Sequence, residues 1–193
     1  MDFVLEIPNN LSKEICEDII KRYEEDDRKG PGKTLSGEMT TVKKSTDLHI
    51  SVLKEWKDID TYLLKQLQEG MEKYKQHLEK KGCAHLRYFC HNTSDCGYQI
   101  QKTDLEQYYN WHDDALMQDG RFLTYLWYLT SHNPSEHGGG TAFHSTAGDG
   151  GKIITPEQGK LLIFPATWTY SHMGLPLVRG NPKYICTGWM HSK

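Results

Sequence analysis

The sequence predicts an α+β fold that is mainly β: a barrel or jelly roll braced by N-terminal helices. Two textures carry this. Up to about residue 85 the apolar residues recur at intervals of three and four, whereas from 86 onward short runs rich in Tyr, Thr, Trp and Ile are separated by Gly, Pro and Asn. The length is a third observation, since 193 residues suffice for one domain with a sizeable core and leave no room for a second catalytic unit. The expected organisation is a single domain over 1–193, with a helical support region at 1–85 and a jelly-roll core at 86–193.

The elements follow in order. Phe3 to Pro8 form a short apolar lead-in, and Ser12 can cap the helix after it. In that helix Ile15, Ile19, Ile20 and Tyr23 share a stripe, which ends at a run of acids and the Gly30-Pro31-Gly32 breaker. Residues 28–46 read as a polar, mobile loop of the kind that often covers a site. A long helix or helix pair is expected at 48–81, where Trp56, Ile59, Leu63, Leu67, Met71, Tyr74 and Leu78 repeat at helical spacing and Gly70 is a candidate interruption. Strands are expected at 86–90, 96–102, 108–112, 121–130, 140–144, 161–164, 168–173 and 183–190. Gly138, Gly139 and Gly140 let backbone approach a site closely and turn with positive φ.

Composition narrows the function classes. A hydrophobic content of 37% is that of a polar chain, and no stretch approaches the length of an apolar membrane span. The start, Met1-Asp2-Phe3-Val4, carries an acid where a leader would be basic, so a cytoplasmic location and no membrane contact are expected. A net charge of -3 offers no broad attraction for nucleic acid. The five cysteines include no C-x-x-C pair, which argues for reduced thiols over structural zinc or a disulfide framework.

The chemistry-bearing residues are few. His112 and Asp114 form an H-x-D unit; on extended backbone they point to one side while Asp113 faces away. His172 follows 60 positions after His112, beyond the strand-like run Leu161-Leu162-Ile163-Phe164. Two imidazoles and one carboxylate leave positions open on an octahedral ion, the facial triad of non-haem Fe(II) oxygenases, and open positions mean chemistry. Lys183 opens the strand-like run Lys183 to Trp189, where its stem can be buried and its ammonium offered to an anion such as the far carboxylate of an iron-chelating keto acid. On residues alone, His137 or His144 in the glycine-rich segment can replace His172, and His132 lies beside them. His172 is preferred because it alone precedes a basic residue that opens a Thr-x-Trp strand.

Over residues 98–190 the sequence resembles the Fe(II)/2-oxoglutarate-dependent dioxygenases, in their prolyl 4-hydroxylase-like branch. The blocks that carry this are Tyr109 to Asp114, Tyr125 to Thr130, Gly138 to Phe143, Gly159 to Pro165 and the stretch from His172 to Trp189. The resemblance implies a double-stranded β-helix, or cupin-like jelly roll, with iron in the mouth of the barrel. It implies Fe(II) held by His112, Asp114 and His172, with 2-oxoglutarate and O2 as cosubstrates and ascorbate as an optional stimulant. Lys183 would bind the 5-carboxylate of 2-oxoglutarate with help from Tyr128, and Thr187 and Trp189 would line the same pocket. The carboxylate at Asp114 speaks for hydroxylation, because related halogenases put a small residue there. One departure is that family members often have a tyrosine about ten residues before the first iron ligand, where this chain has Lys102; Tyr98 and Tyr108 are candidate replacements.

The implied activity is hydroxylation of a proline in a peptide or protein, with release of succinate and CO2. Tyr109, Trp111 and Arg121 are the candidate substrate contacts. Within the same chemistry, the alternatives are hydroxylation of a free amino acid or small metabolite and demethylation of nucleic acid; outside it, zinc-dependent hydrolysis or a non-catalytic jelly-roll binding module. A monomer or weak homodimer is expected.

Overall fold

The computed structural model describes residues 3–34, 37–91, 93–115, 120–144 and 151–192. In chain order its elements are β1 (Leu5–Ile7), α1 (Lys13–Glu25), β2 (Gly30–Pro31), β3 (Thr46–His49), α2 (Lys57–Lys80), α3 (Arg87–His91), β4 (Thr93–Asp95), β5 (Gln99–Thr103) and β6 (Tyr109–His112). They continue as β7 (Arg121–Tyr128), α4 (Pro134–His137), β8 (Thr141–Phe143), β9 (Lys152–Ile154), β10 (Leu161–Pro165), β11 (His172–Gly174) and β12 (Lys183–Ser192).

Two antiparallel sheets form the barrel. The larger has the order β1-β10-β7-β12-β5-β3-β2, with β4 also pairing β12, and the smaller has the order β6-β11-β8-β9. In β7 the period of two divides the side chains between two cores. Leu123, Tyr125 and Trp127 join a cluster with Ile19, Leu63 and Leu67 of the helices. Leu126 and Tyr128 join a smaller cluster with Phe143 and Phe164 inside the barrel.

Both helices form where the periodicity places them. Ser12 is the N-cap of α1, its hydroxyl accepting from the Ile15 N–H, and Cys16, Ile19 and Tyr23 are buried. In α2 the buried row is Ile59, Leu63, Leu67, Gly70, Met71, Tyr74 and Leu78. Gly70 does not interrupt this helix. A Cβ there would stand 2.5 Å from Leu161 Cδ2, so the glycine lets α2 lie close against β10.

The structure also departs from the expectations. Residues 84–91 are helical, not a strand: Tyr88 is 71% exposed, and no sheet neighbour satisfies the backbone there. Residues 48 and 49, expected to open the long helix, instead end the strand 46–49 that pairs with β5 in the large sheet, and helical structure starts at Lys54. The segment 168–170 is a 3-10 turn, and only the residues from His172 onward continue as β11. The lead-in at 5–7 is an edge strand on β10.

The polar segment 28–46, of which residues 35 and 36 lie outside the described residues, is tied to the barrel. Lys44 N–H donates to Tyr108 O and Asn110 N–H to Val42 O, each at 2.8 Å, so residues 42–44 run beside β6. Among the described residues, no helix is long and apolar enough to cross a membrane.

Candidate active site

Strand pairing assembles the centre of the site. His112 ends β6, His172 opens β11, and the two are partners in register with their ring centroids 4.1 Å apart. Asp114 lies just beyond β6, where its N–H donates to Ala166 O after β10, and this turns its carboxylate back toward both rings. Asp114 Oδ1 is 3.8 Å from His112 Nε2, and Oδ2 is 3.5 Å from His172 Nε2. One ligand atom from each residue lies within 4.8 Å of the others.

The surroundings orient these groups. His112 Nδ1 is 2.7 Å from Asn110 O and His172 Nδ1 is 3.1 Å from Tyr170 O, so each ring holds its proton at Nδ1 and presents the Nε2 lone pair to the centre. Tyr109 stacks on His112 with centroids 3.5 Å apart. Burial, reinforced by His172, holds His112 below the ordinary histidine range, so it is neutral near pH 7. Burial alone would push the Asp114 carboxyl up. His172, His112 and a hydrogen bond from Thr124 outweigh it, so Asp114 stays below the usual range and ionised. Two imidazoles and one buried carboxylate are the donor set that a divalent cation with open positions requires. The residues therefore fit Fe(II).

An inner cavity leads from this centre into the barrel, lined by Thr124, Leu126, Thr141, Lys183, Ile185 and Thr187 among others. Lys183 is 5% exposed and its Nζ donates to Gly139 O at 2.6 Å. Gly139 has φ +73, and a Cβ there would stand 3.4 Å from Lys183 Cδ, so a residue without a side chain brings its carbonyl up to the ammonium. Among the described residues no carboxylate pairs with this lysine, and burial pulls its pKa down to about 8. A buried ammonium that lacks an anion is a candidate to bind one.

The other expected contacts sort by distance from this cavity. Tyr128 lies behind the wall: its hydroxyl donates to Thr141 Oγ1 at 2.7 Å, and Lys183 Nζ is 6.0 Å from its ring centroid. Thr187 lines the cavity and donates its own hydroxyl to Tyr125 O. Trp189 lines both this cavity and an outer one of about 680 Å³ that opens beside His112 and Asp114. Arg121 stacks on Trp189, 3.9 Å from its centroid, and lines the outer cavity, as does Tyr109. Trp111 turns outward, 46% exposed and edge-on to His144, and lines neither cavity.

Lys102 faces the helices, where it pairs with Glu24 at 3.0 Å and lies over Tyr184. Its neighbours Gln101 and Thr103 face the inner cavity, together with Tyr108. Tyr98 belongs to the helix-side core. His132 touches Thr130, His137 accepts from Asn133 N–H and His144 packs on Trp111, so none of the three stands in the centre.

Three participants did not stand out in the sequence. Lys43, 3% exposed, pairs with Asp47 at 2.6 Å and lines both cavities. Thr124 donates to Asp114 Oδ2 at 2.7 Å, and Thr141 stands between Tyr128 and the cavity. Their signal was faint: a lone threonine shares the site-facing parity of Leu126 and Tyr128, and a lysine and an aspartate are spaced by four in a polar loop.

Comparison with known proteins agrees with this geometry. Residues 98–191 match the family described as the 2OG-Fe(II) oxygenase superfamily, so this stretch carries a 2OG-Fe(II) oxygenase domain. It is a dioxygenase, of a family that uses Fe(II), 2-oxoglutarate and O2. No curated protein matches the sequence significantly. Among solved structures, a Pseudomonas putida prolyl-4-hydroxylase aligns at 17% identity and TM-score 0.74, over 97% of this chain and 92% of its own. A Trichoplax adhaerens prolyl hydroxylase, solved with a hypoxia inducible factor oxygen degradation domain peptide fragment, aligns at 16% identity and TM-score 0.75, over 100% of this chain and 84% of its own. The viral collagen prolyl hydroxylase of Paramecium Bursaria Chlorella virus-1, in its 2-oxoglutarate complex, aligns at 18% identity and TM-score 0.68, over 100% of this chain and 97% of its own. The fold is thus that of the prolyl hydroxylases, a jelly roll behind helices.

Proposed function

We propose that this chain hydroxylates a proline within a peptide or protein, with Fe(II) on His112, Asp114 and His172 and the distal carboxylate of 2-oxoglutarate on Lys183. The observation that carries the site assignment is the shared cavity: the triad lies at one end, and within it a buried ammonium has a backbone carbonyl and, among the described residues, no carboxylate for partner. The bound iron, with 2-oxoglutarate and O2, supplies the oxidising power for an unactivated C–H bond, releasing succinate and CO2.

The protein's part is placement. Lys183 and Thr141 hold the far end of the cosubstrate, with Tyr128 bracing Thr141 from behind. Tyr109, packed on His112, and Trp189 narrow the passage between the cavities and keep water from the reacting atoms. The outer cavity is open enough for a chain segment, and Arg121 on Trp189 gives it a flat cationic wall. Support for a prolyl substrate comes from the fold shared with three prolyl hydroxylases, one of them holding a peptide. The five free cysteines support a cytoplasmic, reducing setting.

The test is a survey of proline-containing peptides and of free amino acids with Fe(II), 2-oxoglutarate and air, read by mass spectrometry. A one-oxygen mass gain on peptidyl proline with matching succinate is expected. Product only on a free amino acid or metabolite would overturn the peptide assignment and leave the chemistry intact.

A further inference from the structure

Asp114 is 7% exposed, and both its oxygens face the centre, Oδ1 toward His112 and Oδ2 toward His172. A carboxylate placed this way can bind a cation through one oxygen or through both. The choice matters on an octahedral ion. One oxygen and two imidazoles leave three positions, two for a chelating keto acid and one for oxygen, whereas a two-oxygen carboxylate would leave none for oxygen once the keto acid is bound.

Thr124 bears on this choice. It is 2% exposed in the middle of β7, flanked by Phe164 of β10 and Trp189 of β12, and its hydroxyl donates to Asp114 Oδ2 at 2.7 Å. The residues that follow it in its row, Leu126 and Tyr128, sit in the apolar cluster with Phe143 and Phe164. A hydroxyl in such a wall is costly when unpaired, and valine would fill much the same space without one. The hydroxyl is therefore best explained by its partner. We infer that Thr124 is a positioning residue that ties Asp114 Oδ2 to β7, so that the carboxylate binds the metal through one oxygen and a position for O2 stays open. This rests on the ligand assignment proposed above.

The test needs no turnover. Mn(II) is bound to the wild type and to Thr124→Val, Thr124→Ala and Thr124→Ser, and the water held on the ion is read from proton relaxation before and after 2-oxoglutarate is added. Thermal melts of the same samples show that each variant is folded; Thr124→Ala serves should Thr124→Val fail to fold. Wild type and Thr124→Ser are expected to keep about a third of their inner-sphere relaxation after 2-oxoglutarate binds. The Val and Ala variants should start about a third lower and fall to the outer-sphere background. If either hydroxyl-free variant matches the wild type in both states, the role of Thr124 is overturned and the triad stands. If Mn(II) binds His172→Ala as tightly as the wild type, the ligand assignment itself falls and takes this inference with it.

Discussion

Leu123, Tyr125 and Trp127 on one face of β7 pack beneath α1 and α2, whereas Thr124, Leu126 and Tyr128 on the other face the cavity or the small core beside it. On the helix face, polar atoms are spent inside the fold: Trp127 Nε1 donates to Asn10 Oδ1 at 2.6 Å and the Tyr125 hydroxyl to Gly97 O at 3.0 Å. On the cavity face they turn to the proposed site, Thr124 donating to Asp114 and Tyr128 to Thr141, which lines the cavity with Lys183. Adjacent residues of one strand therefore serve stability and chemistry separately.

The strongest break of this separation is on the ligand side. His172→Ala should reduce oxygen-dependent succinate formation to background and abolish tight Mn(II) binding, with the melting temperature of the metal-free protein little changed. A variant with undiminished turnover would remove His172 from the centre. Lys183→Ala comes next. Leaving a buried carboxylate without its cation costs about 3–5 kcal/mol, which predicts a rise in the KM for 2-oxoglutarate on the order of 10²–10³-fold with Mn(II) affinity retained. Steady-state kinetics over a wide cosubstrate range decide it, and an unchanged KM would mean the anchor lies elsewhere.

On the helix face the expected effect is of a different kind. Leu63→Ala should cost about 2–5 kcal/mol of stability through the cavity it leaves, seen in urea melts, while the KM for 2-oxoglutarate of the folded fraction stays as in the wild type. A large KM change would show that the two faces are coupled through the sheet.

The smallest effect sharpens the comparison through pH. Burial lowers Lys183 from 10.5 to about 8, so the folded protein binds its proton less readily than the unfolded chain does. That penalty is fully present below about pH 8, shrinks as pH rises toward 10.5 and is absent above it. A bound dicarboxylate relieves it by pairing the ammonium. The gain in melting temperature on adding 2-oxoglutarate to the Mn(II) protein should therefore be larger near pH 7 than well above pH 8, and Lys183→Ala should flatten this dependence. A gain that grows with pH would contradict it.

Much of this was legible in the sequence because burial repeats. The stripe from Ile59 to Leu78 is a helix packed along its length, and the opposite parity of Trp127 and Tyr128 places them on the two faces of β7. The spacing within His112 and Asp114 also carries over directly, since a short stretch of backbone brings both to the centre. What stayed hidden depends on distant partners. Aromatic content at 86–90 resembles a strand, but pairing is decided by neighbours that are not there. Lys102 occupies the expected sequence position and yet faces the helices, because the register of β5 with β12 turns Gln101 and Thr103 inward instead. Lys43 lies in a polar stretch with few apolar anchors, and its place at the cavities follows only from residues 42–44 running beside β6.

β12 enters the chain after every other described strand, yet it lies at the heart of the large sheet, hydrogen-bonded to β7 on one side and to β5 and β4 on the other. In the large sheet its two flanks are joined through this strand, and such far-reaching pairing is intrinsically slow. The strand that completes the barrel also brings Lys183, Thr187 and Trp189. On the assignment proposed above, a molecule in which this strand has not yet paired lacks the lysine for the far carboxylate of the keto acid and would bind it more weakly.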